Sequence, residues 1–330
     1  MTTGHSNRRH FALGVVLTGV LWFQPVPVVS QGRPKPDEPA QKPAADWVAP
    51  KTPWGDPDLQ GHWSHGGTPF QTPDPDPVSA AATLKALSSR YGPTADPETG
   101  EPRGPIFGSP GERGRPRGPR RKSLVVDPTS GRIPVRPGKF ENWNRLARGD
   151  HWTNHGAWER CITRGVPNAY VVGSGFEILQ SPGWVIMFPE MIHDARFIPM
   201  DGRPHVGKGI RLWNGDSRGH WEGDTLVIEV TNFNNQGLTV QEAAGSIKQT
   251  EGLKVVERWR RTEENLLMHE VTYDDPNTFS RPWKVELPHM LDPTYQIFEY
   301  ACHEANRDYM EGSLRQGRLR DQDEAAAKKR

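Results

Sequence analysis

The densest run of ionisable side chains in the sequence is Glu190 to His205, EMIHDARFIPMDGRPH, where His193, Asp194, Arg196, Arg203 and His205 fall in one hairpin-length stretch. An imidazole titrates near neutrality and can serve as a general acid or base. A carboxylate can orient it, and a guanidinium binds an oxyanion or carboxylate through parallel hydrogen bonds. On a strand, residues two apart share a face, so Asp194 would lie with Arg196, and His193 with Phe197. The catalytic candidates are therefore His193 as the proton-transfer group, Asp194 as its orienting partner, and Arg196. Arg203 and His205 are candidate substrate-binding groups. The same residues also suit a salt-bridged turn, with Asp201-Gly202 as the turn and Arg203 as its cap, and the sequence leaves both readings open.

A second cluster, Glu299, Tyr300, His303 and Glu304, surrounds Cys302. The chain has the marks of export: Arg8 and Arg9 precede an apolar run from Phe11 to Phe23, and Val28-Val29-Ser30 offers a cleavage site. Asn7 to Phe11 (NRRHF) also resembles a twin-arginine signal, and a Sec signal fits as well. The run is shorter than the ~20 residues that span a bilayer. Two cysteines in an exported chain, Cys161 and Cys302, are expected to pair. That bond would bring Arg160 and Arg164 towards Glu299 and His303. Glu299 and His303 are thus added as substrate-binding candidates, with an ion-pair girdle at a barrel end as the structural alternative.

Other motifs carry less. Gly215-Asp216-Ser217-Arg218-Gly219 fits the G-x-S-x-G nucleophile elbow, which needs a strand before the serine and a helix after it. Here Ile210–Trp213 reads as a strand, and Thr225–Thr231 as another, which makes the motif a hairpin loop. His303-Glu304 begins like H-E-x-x-H, but Arg307 stands where the second histidine belongs. His151 and His155, and His62 and His65, have ligand-like spacing without an obvious third ligand. No metal site is assigned, and no cofactor motif of the G-x-G-x-x-G, P-loop or C-x-x-C-H type is present.

The elements that would position these groups are short alternating strands from Gly175 to Cys302, punctuated by Gly, Pro, Asn and Asp. The rhythm predicts a mainly β protein, an antiparallel meander closed into a barrel, with a long Pro/Gly-rich N-terminal region. Such a shell has an inside, and inward-facing polar side chains need partners there. Trp213, Trp221, Trp259 and Trp283 read as core anchors, and aromatic lining also suits apolar or sugar ligands.

Composition sets the remaining bounds. With 34 Gly, 32 Pro and a net charge of +1, the chain is loop-rich and lacks the basic excess of a nucleic-acid binder. The expected organisation is an export signal over 1–30, a disordered tether over 31–50, a single β-rich domain over 51–312, and a charged tail over 313–330. Within the domain, Ser79 to Arg90 is a helix candidate and 90–122 a basic Pro/Gly-rich loop. The tail reads as a frayed helix or disordered chain.

The blocks TPWGDPDLQGHW, RCITRGVP, EMIHDARFIPMDGRPH, GDSRGHWEGDTLVIEVTNFN, VVERWRRTEENLLMHEVTYDDPNTFSRPW and EYACHEAN resemble a large, mostly uncharacterised family of secreted bacterial proteins. The resemblance covers most of residues 50–310 and implies secretion without implying an activity. Gly61-His62-Trp63 is also similar to the G-x-W opening of lipocalin-type barrels, which implies a calycin-like barrel. The sequence thus predicts a periplasmic or secreted protein that binds a small organic molecule, or transforms it by acid–base chemistry of the lyase, isomerase or hydrolase type. The alternative is a non-catalytic envelope module that contacts protein or polysaccharide.

Overall fold

Val255, Glu257 and Trp259 on one strand, and Leu267, His269, Val271 and Tyr273 on the next, alternate with residues turned towards solvent. A period of two along a pleated backbone sends these side chains to one face, and burying that face curls the sheet. The computed structural model describes residues 47–65, 123–142, 155–170, 175–242 and 245–328. The export signal, most of the tether, the Ser79–Arg90 helix candidate, the 90–122 loop and His151 lie outside the described residues.

The strands are β1 (Gly61–His65), β2 (Val125–Asp127), β3 (Phe140–Asn142), β4 (Phe176–Ser181), β5 (Trp184–Pro189), β6 (Arg196–Pro199) and β7 (Asp216–Glu222). They continue as β8 (Thr225–Thr231), β9 (Leu238–Glu242), β10 (Gly245–Lys248), β11 (Lys254–Glu263), β12 (Leu266–Asp274) and β13 (Trp283–Leu291). The main sheet runs β6-β5-β4-β1-β13-β12-β11-β8-β7, with β2 also on β13, and its pairings are antiparallel. The end strands β6 and β7 adjoin, so the sheet is nearly closed into a barrel.

Side chains close this seam, where no β6–β7 ladder exists among the described residues. Ile198 and Met200 pack over Gly219, where a Cβ would come within 2.9 Å of Ile198 Cγ2, so a larger residue would wedge the seam open. Gly223, at φ +63°, is the first residue of the two-residue turn joining β7 to β8. That position in a hairpin turn demands a left-handed backbone, which glycine supplies without steric cost.

The interior is filled by large side chains. Trp63, Trp259, Trp283, Tyr273, Phe176, Phe233 and Phe279 are all essentially inaccessible. Tyr273 stacks on Trp283 at 4.3 Å. Trp259 and Trp283 are core anchors as the sequence suggested, whereas Trp213 is half-buried, with Arg160 over its ring at 5.5 Å. A second sheet, β3-β10-β9, contributes Val240 and Ile247 to the same core.

Three local expectations are corrected. Ile210–Trp213 is not a strand, and the Gly-Asp-Ser-Arg-Gly motif is not a hairpin loop: β7 starts at Asp216, and the turn falls at Gly223-Asp224. Cys302 does not lie on the last strand, which ends at Leu291, but opens a helix, α1 (Cys302–Ala327). The helix crosses the boundary placed at 312–313, with most of its described side chains exposed. Cys161 and Cys302 are disulfide-bonded, with Cα atoms 5.8 Å apart, so the bond ties the 155–163 loop to the start of α1. Around it, Met191 and Ile192 form a small separate core with Trp158 and Tyr300.

The crosslink spans 141 residues of sequence. Replacing both cysteines by alanine is expected to cost about 2–5 kcal/mol in chemical denaturation, because a long loop in the unfolded chain is set free. The intact protein should titrate no thiol; an unchanged denaturation midpoint in the double variant would show that the bond constrains nothing.

Candidate functional site

Among the candidates read from the sequence, the structure carries only Arg196 into the barrel. It starts β6 on the inward face, 7% exposed. His193 and Asp194 precede the strand and are exposed, because Ile192 and His193 adopt left-handed backbone angles (φ +72° and +47°) that break the alternation. Asp194 and Arg196 therefore do not pair on one face. Asp194 accepts from Asn214 Nδ2 at 2.6 Å, and Arg196 turns to partners inside. Arg203 is exposed and closes on Asp201 through its guanidinium, the turn-capping arrangement. His205 Nδ1 lies 2.8 Å from Asp216 Oδ2, and Asp216 also receives Arg218 at 2.7 Å.

Glu299 and His303 are exposed near the disulfide. His303 lines an open groove of about 370 Å³ with Arg160, Cys161, Asn306, Arg307 and Met310. Glu299 and Arg164 are not part of its lining, and Arg164 Nε instead reaches Met191 Sδ at 3.0 Å. The disulfide thus unites Arg160 with His303 as expected, without the wider convergence. Glu159 also lines the groove, 6% exposed, accepting from the Gly156 N–H at 2.8 Å with His155 Nδ1 at 3.8 Å, while a larger polar network lies inside the barrel.

There, four strands and one turn meet. Arg196 Nη2 contacts Glu257 Oε1 at 2.6 Å. Its Nε donates to Ser217 Oγ on β7 at 2.8 Å, and its Nη1 to the Tyr170 hydroxyl at 3.4 Å. Tyr170 is placed by a short 3-10 turn, Asn168–Tyr170, which Asn168 Nδ2 pins to the Thr239 carbonyl of β9 at 3.2 Å. The second carboxylate oxygen of Glu257 lies 3.1 Å from His269 Nε2 on β12 and accepts from Trp259 Nε1 at 3.3 Å. Trp259 stacks flat on His269, ring centres 3.4 Å apart.

A row of imidazoles continues from this pair. His289 on β13 lies 5.8 Å from His269 and 5.5 Å from His65, ring centre to ring centre, and His65 is the cross-strand neighbour of His289. The His65 Nδ1–H donates to the Pro288 carbonyl at 3.1 Å. His65 Nε2 and both nitrogens of His269 and of His289 are buried without a hydrogen bond among the described residues, as is the Tyr273 hydroxyl, although His269 Nε2 lies within ion-pair distance of Glu257. Each such group costs on the order of 1–3 kcal/mol if nothing pairs with it.

Charge in this interior is balanced. Burial alone would raise the Glu257 carboxyl, but Arg196 and His269 outweigh it and hold it down at about 2. Burial alone would lower Arg196, but Glu257 and Tyr170 more than reverse that, so it stays charged. Burial pushes Tyr170 up to about 12 and pulls His65 down to about 4. It also lowers His269, and His289 still further. Near neutral pH the row is three neutral imidazoles beside a closed ion pair. This arrangement sets an imidazole against a carboxylate, the pairing that proton transfer uses.

The groups missed from the sequence were Glu257, His269, His289 and Tyr170, while His65 and Ser217 were weighed only as a metal spacing and a nucleophile elbow. The signal was there in the alternation: Glu257 falls in register between Val255 and Trp259, and His269 between Leu267 and Val271. Of the two metal-like spacings, the one that uses His151 lies outside the described residues. Among the described residues, no group of His, Cys, Asp or Glu is arranged to hold a metal ion. Compared with protein-family models, curated proteins and solved structures, the chain matches none.

Two outcomes follow. Glu257→Leu and Arg196→Met should each destabilise by about 3–5 kcal/mol, since each strands the opposite buried charge, while the double variant should lose clearly less. Additive losses in denaturant melts would mean the ion pair is not coupled. Stability should also fall as pH drops from about 6.5 to about 4. Over that range the unfolded chain binds protons on these histidines while folded His65 does not. Glu257, depressed to about 2, extends the loss to lower pH. A stability that is flat from pH 7 to 4 would contradict the buried neutral row.

Proposed function

We propose that this chain is an exported, small-molecule-binding β-barrel protein whose site is the imidazole-lined interior rather than the outer His193 hairpin. The observation that carries the reading is the row His65, His289 and His269, in which every ring nitrogen except His65 Nδ1 is buried without a hydrogen bond among the described residues. Natural interiors pair nearly all such atoms with protein, water or ligand, so a row of them favours a polar occupant. Export is supported by the Arg8-Arg9 signal pattern and by the disulfide, and no described helix is long and apolar enough to cross a membrane. The likeness of Gly61-His62-Trp63 to lipocalin-type openings points the same way. Should the ligand be transformed, His269 is the proton-transfer group, with Glu257 orienting it and Tyr170 donating from the opposite side of Arg196.

A second reading, a non-catalytic envelope module, is favoured by one feature. Leu179, Ile186 and Phe197 form an aligned cross-strand row on the outside of β4, β5 and β6, with Leu179 41% and Phe197 61% exposed. Exposed apolar rows of this kind mark contact surfaces. Native mass spectrometry of the protein purified from its exported fraction separates the two. The interior-site reading expects a small molecule at near one-to-one occupancy, retained by His193→Gln and lost in His269→Leu. An empty protein, or ligand loss only in His193→Gln, would contradict it.

A further inference from the structure

The open groove of about 370 Å³ is lined from two segments distant in sequence, Glu159 to Cys161 in the loop and His303 to Glu311 on α1, and the Cys161–Cys302 bond joins the two. Its sulfurs are not equally reachable. Cys161 is half-buried and lines the groove, whereas Cys302 is 4% exposed and does not. Thiol–disulfide exchange needs a thiolate to reach one sulfur while the other departs. Access therefore selects Cys161 as the sulfur attacked and Cys302 as the one expelled. Asn306 Nδ2 reaches both, at 3.4 Å from Cys161 Sγ and 3.6 Å from Cys302 Sγ, and can donate to whichever carries charge.

The bond also sits where its loss would be felt locally. Before the helix the chain is anchored on Glu190, which accepts from the Tyr295 hydroxyl and from the Phe298 N–H at 3.2 Å. Beyond Phe298, loop and helix are joined by the disulfide, by Asn306 Nδ2 on the Glu159 carbonyl at 3.1 Å, and by the small core of Met191, Ile192, Trp158 and Tyr300. The N-cap residue, Ala301, has a left-handed backbone and makes no side-chain cap, so the first turn of α1 owes its place to the crosslink more than to its own sequence. Most described side chains of the helix are exposed. Segments with few buried apolar contacts are the first to open when a constraint is removed.

We propose that the Cys161–Cys302 bond is a redox-sensitive clasp: a low-molecular-weight thiol enters the groove, reduces the bond in the folded protein, and frees α1 from the 155–163 loop. The thiolate attacks Cys161 Sγ and forms a mixed disulfide, while the S–S bond breaks and Cys302 leaves with the electron pair, taking a proton from water. A second thiolate attacks the sulfur of the first, releasing Cys161 as a thiolate and joining the two small thiols as a disulfide. The two electrons the protein gains are the two the thiols lose. Neither cysteine lies on a strand, so the barrel ladders persist.

The test uses the purified, oxidised full chain and reduced glutathione, with samples quenched at intervals by an alkylating reagent and each cysteine mapped by mass spectrometry. Both cysteines should become labelled in the folded protein, by way of a glutathione adduct on Cys161. The rate should fall within about tenfold of that in urea-unfolded protein, because access to one sulfur, not unfolding, limits exchange. Hydrogen exchange compared before and after reduction should show residues 302–327 losing protection while β11, β12 and β13 keep theirs. Reduction more than about a hundredfold slower in the folded chain, at a rate that follows denaturant, would mean that the bond opens only with the whole fold, and overturns the proposal. An adduct on Cys302 in place of Cys161 overturns the order of attack. Exchange across α1 that is the same in the oxidised and reduced proteins overturns the clasp.

Discussion

The buried ion pair between Arg196 and Glu257 is the constraint on which the rest of this barrel depends. Arg196 stands at the β6–β7 seam, where the described strands adjoin without a ladder. From there its guanidinium holds Ser217 across the seam, Tyr170 on the 3-10 turn and Glu257 on β11. Taking both ions out of water costs several kcal/mol each, and only close contact with further hydrogen bonds offsets that cost. The geometry supplies such bonds, since Ser217 and Tyr170 accept from Arg196 and Trp259 donates to Glu257. A single side chain thereby couples barrel closure to the polarity of its interior.

The neutrality of the neighbouring imidazoles follows from the same pair. A net charge near His269 would tilt its protonation, whereas a closed Arg–Glu pair leaves burial as the dominant influence and keeps the ring neutral. Glu257 then fixes its tautomer, as the Pro288 carbonyl does for His65. What remains is a row of oriented lone pairs among aromatic rings.

Much of the architecture was legible from the sequence because strands announce themselves by period. FEILQS, WVIMFP and the long pair KVVERWRRTE and LLMHEVTYD fall where alternation and turn residues placed them, and the cysteine pairing followed from their number and the export signal. The site was harder to see. Composition drew attention to the crowded His193 hairpin, but a left-handed backbone at Ile192 and His193 turns those side chains outward, and nothing in residue type signals that. Glu257 and His269 stood isolated among apolar residues, where a lone polar residue is easily read as facing solvent. Register, which only the folded sheet fixes, places them inside. Ile210–Trp213 failed for a related reason: its β-forming composition is real, but Leu212 joins Phe233 by a single parallel bridge and no ladder forms.

The most direct measurement is a high-resolution crystal structure of the protein as isolated from its exported fraction, read at His65, His269 and His289. The account predicts non-protein density larger than a water molecule within hydrogen-bond distance of His65 Nε2 and His269 Nδ1. It also predicts that Arg196 and Glu257 stay in contact behind them. Finding those nitrogens satisfied by protein atoms or by water alone would contradict the claim that this interior is a binding site.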